Sequence, residues 1–232
     1  MLGQGPRPAP SNTVSTHELV ETALVIGFLI LSLGIHEAAH AWVAYRCGDD
    51  TAKNEGRMTL NPIVHIDPFM TILLPAMLWF GSGGTIMFGG AKPVPVYPNR
   101  LRNPLRDMAL VAIAGPASNV ILAFIFMLVW KASIVLAGFS SNELLPSVLE
   151  TCVMLNILLT MFNLLPIPPL DGSRVMAYLL PAGLRESYIQ LERFGFILVI
   201  GAIYFVPPVR PALWRAMTWL WDILFTATGG NW

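Results

Sequence analysis

Residues 18–46 read ELVETALVIGFLILSLGIHEAAHAWVAYR. The apolar centre runs from Ala23 to Ile35, and with its flanks the stretch exceeds the roughly 20 residues that carry an α-helix across about 30 Å of hydrocarbon. This reading makes the chain a membrane protein, and it brings a second observation with it. His36, Glu37 and His40 interrupt the run near its end. Ionisable side chains in a membrane helix are costly and mark functional sites.

The composition agrees with a membrane assignment. Of the 232 residues, 55% are hydrophobic and 12% charged, against roughly 25% charged in a soluble domain. Leaving that much apolar surface in water would drive aggregation, so the chain needs a second apolar phase, the lipid bilayer. Lys and Arg number 14 and so do Asp and Glu; without net charge there is no field to attract nucleic acid, and DNA or RNA is excluded as a partner. Two cysteines, Cys47 and Cys152, are too few for a disulfide framework. Residues 1–16 are polar and rich in Pro and Gly, without the basic region and cleavage site of a signal peptide, and are expected to be a flexible tail. Residues 17–232 then form one membrane-embedded domain, with a core over about residues 18–180 and C-terminal helices over about 184–228.

Further apolar runs follow at Asp107 to Leu136, Val148 to Leu165 and Ser187 to Val206, the last stopped by Pro207-Pro208. The Trp-rich run Pro211 to Thr228 either spans or lies along the interface. Phe69 to Phe80 is too short to cross, contains Pro75 and precedes a Gly/Ser cluster; it reads as a re-entrant segment. Gly56 to Leu60 and Thr85 to Phe88 beside it look like short strands. The expected fold is an all-α polytopic bundle of about five to six transmembrane helices, with a small membrane-associated β element and a re-entrant segment. With Phe69 to Phe80 not crossing, Arg46, Lys53, Arg57, Lys92, Arg100, Arg102, Arg106, Arg174, Arg185 and Arg193 share one face, ten of the 14 basic residues. The positive-inside rule makes that face cytoplasmic.

His36-Glu37-Ala38-Ala39-His40 is an H-E-x-x-H pattern. Imidazoles at i and i+4 lie on one helix face and can reach a single tetrahedral metal, with the intervening Glu placed as a general base. Alternatively His36 and Glu37 mark a helix end at the interface. Zinc needs a third protein ligand and one open position. Candidates are His17, His65, Asp67, Asp171 and, less suited, Glu55. His17 belongs to the opposite membrane face. Asp171 ends the stretch Asn163-Leu164-Leu165-Pro166-Ile167-Pro168-Pro169-Leu170-Asp171-Gly172, where three prolines force a broken backbone on the same face as His36 and His40. Without the H-E-x-x-H it would read as a Pro-rich turn before Asp-Gly.

The pair H-E-x-x-H and N-x-x-P-x-P-x-L-D-G resembles the site-2 protease family of intramembrane zinc metalloproteases. A third motif, Ala114-Gly115-Pro116-Ala117-Ser118-Asn119, is similar to the family's G-P-x-x-N, and the resemblance extends from about Ile35 to Met176. It implies that His36, His40 and Asp171 ligate one Zn2+, that Glu37 activates water, and that Asn119 holds substrate or the developing oxyanion. No loop is long enough for an inserted PDZ domain, so the likeness is to a minimal form without PDZ or nucleotide-sensing domains. The implied activity is hydrolysis of peptide bonds within or near transmembrane segments, as in regulated intramembrane proteolysis. The implied partners are a transmembrane protein substrate and the bilayer, with a homo-oligomer left open. The implied location is the cell membrane, multi-pass, with the active site near the cytoplasmic face. Strand addition of an unwound substrate at Gly56 to Leu60 is a further expectation. The competing classes are a metal transporter using the same cluster, or a catalytically silent scaffold. His65 reads as an ordered loop residue, and Asp67 before Pro68 as a turn residue.

Overall fold

The computed structural model describes residues 15–73, 77, 80–81 and 89–230. Residues 1–14, most of the second half of Phe69 to Phe80, the Thr85 to Phe88 stretch and Trp232 lie outside the described residues. The helices are α1 (Thr16–Cys47), α2 (Thr51–Asn54), α3 (Pro104–Val135), α4 (Leu144–Asn163), α5 (Asp171–Leu179), α6 (Ala182–Gln190), α7 (Gly195–Phe205) and α8 (Val209–Ala227). Among the described residues α1, α3 and α4 are long and apolar enough to cross a membrane. The chain is a helical membrane protein.

Local chemistry marks both ends of α1 and the start of α3. Ser15 caps α1 in a reciprocal box: its Oγ accepts from Glu18 N at 3.2 Å, and its own N–H donates to Glu18 Oε2 at 2.7 Å. The helix ends on Gly48 at φ +116°, a conformation strained for any residue with a Cβ. Pro104 occupies the first position of α3, where its missing N–H costs nothing. Pro116 lies inside α3 and opens the helix hydrogen bonding there.

The core sits where α3, α4 and α8 meet, around Met127, Val153, Ile157 and Leu220. Phe28 of α1 packs edge-on against Phe126, ring centroids 5.5 Å apart. Several polar groups in these apolar surroundings pair across helices. Asn156 Nδ2 donates to Ser32 Oγ at 3.1 Å, and Ser147 Oγ donates to Glu21 Oε1 at 2.5 Å, tying α4 to α1 at two levels. The buried Lys131 ammonium donates to Phe225 O at 2.6 Å and to Gly230 O at 3.2 Å, where the C-terminal end of α8 carries partial negative charge.

The C-terminal third departs from a simple helical hairpin. The expected run Ser187 to Val206 is divided: α6 and a 3-10 turn to Phe194 meet the following helix at 91°, so the pair is at most one broken span. Arg174 donates to Glu192 Oε1 at 2.6 Å and holds the first half beside α5. At the bend Gly195 lies against Pro169, whose Cδ would stand 2.7 Å from an added Cβ. Helix α8 carries Arg210, Arg215 and Asp222 and is not among the helices apolar enough to span.

The expected β element is not seen among the described residues, which contain no strand. Gly56 to Leu60 is a turn followed by bends, with Gly56 at φ +67°. Side chains bond to backbone carbonyls around it: His65 Nε2 meets Thr59 O at 3.1 Å, and Arg57 Nη2 donates to Lys92 O at 2.9 Å and Pro93 O at 3.3 Å. The start of the short apolar segment is a turn of π-helix, Pro68–Leu73, whose Phe69 N–H donates to Asp67 Oδ1 at 2.9 Å.

Residues 91–97, neither helix nor strand, pass back across the end of α1, where Val94 packs on Ala41. Asp49, buried in the loop after α1, anchors their far end. Its carboxylate accepts from Thr51 N at 3.0 Å, Thr51 Oγ1 at 2.5 Å and Tyr97 N at 2.7 Å. Burial raises the Asp49 pKa, but these donors and the nearby Arg100 outweigh it and hold the carboxyl below its ordinary value. The clamp therefore contributes fully above about pH 4 and weakens as pH falls through the lowered value.

Candidate metal centre

The last turns of α1 place His36 and His40 on one face, both buried, against α3 at Gly115. The chain leaves α4 at Asn163, folds back sharply, and starts α5 with Asp171 at the same place. A Cβ at Gly172 would overlap the Leu164 carbonyl, so only glycine lets this return close so tightly. Pro166, Pro168 and Pro169 keep the connection non-helical, as expected.

Three donor atoms meet. His36 Nε2 and His40 Nε2 are 3.0 Å apart, and Asp171 Oδ2 lies 3.2 Å from the first and 3.4 Å from the second. Zinc bonds of about 2.0–2.1 Å at tetrahedral angles separate two ligand atoms by about 3.3 Å, so this triangle has the size a zinc ion requires. The proton positions point the same way. His40 Nδ1 meets Val111 O at 2.7 Å and must donate to it, leaving a lone pair on Nε2 of the neutral ring. Asp171 Oδ2 is buried and has no hydrogen-bond donor. Lone pairs converging in a buried site repel unless a cation lies between them, and the donor set of two imidazoles and a carboxylate suits zinc.

Gly115 completes the cradle. A Cβ there would overlap Nε2 of both histidines, so the absence of a side chain on α3 keeps the donor triangle open. Asn119, one turn on and fully buried, stands with Nδ2 3.1 Å from His36 Nδ1, while its Oδ1 has no partner. Ligating histidines donate their second N–H to an acceptor. With the amide turned over, Oδ1 accepts from His36 Nδ1 and the orphaned oxygen is satisfied. The contact is to the ring nitrogen remote from the triangle.

Glu37 is next to the triangle: His36, Glu37 and His40 each bring one ligand-capable atom within 4.8 Å of the others. Its Oε2 accepts the Val94 N–H at 2.9 Å. The other candidate ligands are elsewhere. His17 lies at the far end of α1, 3.8 Å from Glu21. Buried His65 is turned toward Thr59 O, in a small cleft with Gly34 and Pro62. Asp67 caps the π-turn, and Glu55 is exposed at the end of α2. The Val94 contact and the cradle function of Gly115 were not legible as site features; the alternation of Pro93 and Pro95 was the available signal for an extended segment.

Comparison with known proteins identifies a family. The model of peptidase family M50 matches residues 23–142 and 132–206. YwhC of Bacillus subtilis, designated a candidate zinc metalloprotease, is 47% identical over 186 residues, 78% of this chain and 79% of its own length. Rip2 of Mycolicibacterium smegmatis, similarly designated, is 29% identical over 199 residues, 86% of this chain and 73% of its own. MJ0611 of Methanocaldococcus jannaschii is 33% identical over 107 residues, 46% and 51% of the two chains. No solved structure gives a significant match. With its histidine-bearing helix, its Gly-Pro helix and its Asp171 return loop all inside the matched region, the chain belongs to peptidase family M50, the site-2 protease family.

Proposed function

We infer that the protein is a zinc metallopeptidase that hydrolyses peptide bonds within or beside transmembrane segments of other membrane proteins, in the manner of regulated intramembrane proteolysis. The donor triangle of His36, His40 and Asp171 carries this reading, because its edges fit zinc and its buried Asp171 Oδ2 has no hydrogen-bond partner among the described residues. These three residues would hold the ion, and Asn119 would orient His36 rather than bind the oxyanion. The chemistry zinc supplies when bound is Lewis acidity and a water made nucleophilic near pH 7.

The chain's own residues do the rest. Glu37, with Oε2 held by Val94, has Oε1 to take a proton from the attacking water and later return it to the leaving amine. Helices α1, α3 and α4, the three apolar enough to span among the described residues, would shield the site from lipid, and His36, His40 and Asn119 are buried. A helical substrate hides its carbonyls in i to i−4 bonds and must unwind before attack. The site lies toward the same end of α1 as Arg46, Arg100, Arg102 and Arg106, which the positive-inside rule assigns to the cytoplasm.

Metal analysis of the purified full chain tests the ligand set. Wild type is expected to carry one zinc per chain. His40→Ala and Asp171→Ala are each expected to retain less than about a tenth of it, since each ligand loss costs several kcal/mol of binding. Full zinc occupancy in both variants would remove the basis for the assignment.

A further inference from the structure

The segment that crosses the end of α1 reaches Glu37 through a backbone N–H. The Val94 N–H donates to Glu37 Oε2 at 2.9 Å, across 57 residues of sequence. Its neighbours Pro93 and Pro95 have no N–H, so Val94 is the sole backbone donor in residues 93–95. A slip of one residue in either direction would present no donor to Glu37. Each proline also keeps the residue before it out of the helical region, which holds Lys92 and Val94 extended.

The segment is pinned on both sides of this contact. Lys92 N donates to His65 O at 2.7 Å, and Arg57 grips the Lys92 and Pro93 carbonyls. Beyond it, Tyr97 N donates to Asp49 Oδ2 at 2.7 Å. The Val94 side chain is buried with Ala41, next to His40 on α1, and Ala52. A glutamate carboxylate swings about three side-chain bonds, and a general base acts only within hydrogen-bond reach of its proton. Fixing Oε2 from a rigid segment restricts Oε1 to one direction without altering the donor triangle.

We propose that residues 92–97 form a strap that positions Glu37 through the Val94 N–H, making Val94 a positioning residue for peptide hydrolysis; this rests on the reading of Glu37 as the general base. The device is insensitive to most substitutions, because every residue but proline keeps the N–H. Val94→Pro removes that one donor in a backbone already extended before Pro95, whereas Val94→Ala keeps it and removes only apolar packing.

The test uses the reconstituted full chain, with a single-span membrane protein as substrate, and reads kcat, KM, bound zinc and thermal midpoint for both variants beside Glu37→Gln. For Val94→Pro, kcat is expected to fall about 10²-fold, the scale of a misplaced catalytic group, with KM within about twofold and one zinc retained. Val94→Ala is expected to stay within about threefold of wild type, since its N–H is intact. A Val94→Pro variant with near wild-type kcat while Glu37→Gln is inactive would overturn the strap and leave the base assignment standing. Equal losses in the proline and alanine variants, or loss of zinc from Val94→Pro, would also overturn it, by showing a packing role. An active Glu37→Gln would instead overturn the reading beneath it. Should Val94→Pro fail to accumulate, Arg57→Ala frees the strap without changing it: a fall in kcat of about tenfold with zinc retained is expected, and no change would refute the proposal.

Discussion

Replacing Glu37 with Gln is expected to lower peptide cleavage by about 10³-fold or more while one zinc stays bound, within the 10²–10⁴ that a positioned acid–base group contributes and the further loss of its charge. The substitution isolates chemistry from structure. Glutamine has the same shape and keeps a carbonyl oxygen that can accept the Val94 N–H, so the contact at 2.9 Å survives. The donor triangle does not include residue 37, so metal retention is untouched. What disappears is basicity: a neutral amide cannot take a proton from water. Cleavage rates paired with metal analysis of the same preparation give the result, and a Glu37→Gln protein that cleaves at the wild-type rate would end the assignment.

The second large effect comes from a residue with no side chain. Gly115→Ala is expected to displace the metal, cutting zinc occupancy and cleavage together by at least about tenfold, because its Cβ would overlap Nε2 of both His36 and His40. Neither ring can retreat freely, since His40 Nδ1 is held by Val111 O at 2.7 Å and His36 Nδ1 faces Asn119 at 3.1 Å. In helix propensity alone the change would favour α3 by about 1 kcal/mol, so a thermal midpoint that holds while zinc is lost separates the site from the fold. Gly27→Ala on α1, where a Cβ meets nothing within 4 Å, is the matched control and is expected to leave both zinc and activity unchanged.

How much was legible follows from the range of the interactions concerned. The three long membrane helices stand close to where their apolar runs place them, because length and hydropathy in a lipid phase are local properties: α1 covers 18–46, and α3 and α4 begin within a few residues of Asp107 and Val148. The placement of Asp171 beside His36 and His40 was legible because prolines and an Asp-Gly pair leave the chain few ways to continue after α4. The break in the Ser187 to Val206 run was not, since it depends on Gly195 meeting Pro169 and on Arg174 pairing with Glu192. Around Gly56 to Leu60, the contacts by which Arg57 and His65 reach distant carbonyls are likewise not local. Least legible were backbone donors and missing side chains: Val94 acts through an N–H that nearly every residue carries, and Gly115 through empty space.

Asn119 shows the same limit from the other direction. Its motif pointed to the site, and the structure adds that its amide lies 3.1 Å from His36 Nδ1, a contact the motif alone does not reveal.

Reconstituted cleavage of a single-span membrane protein, measured before zinc chelation, after it and after zinc is added back, tests the central claim most directly. Hydrolysis is expected to be present in the zinc-loaded protein, to disappear on chelation and to return with zinc. Cleavage that persists undiminished in metal-free protein, or a zinc-loaded protein that cuts no membrane-spanning substrate, would contradict the account.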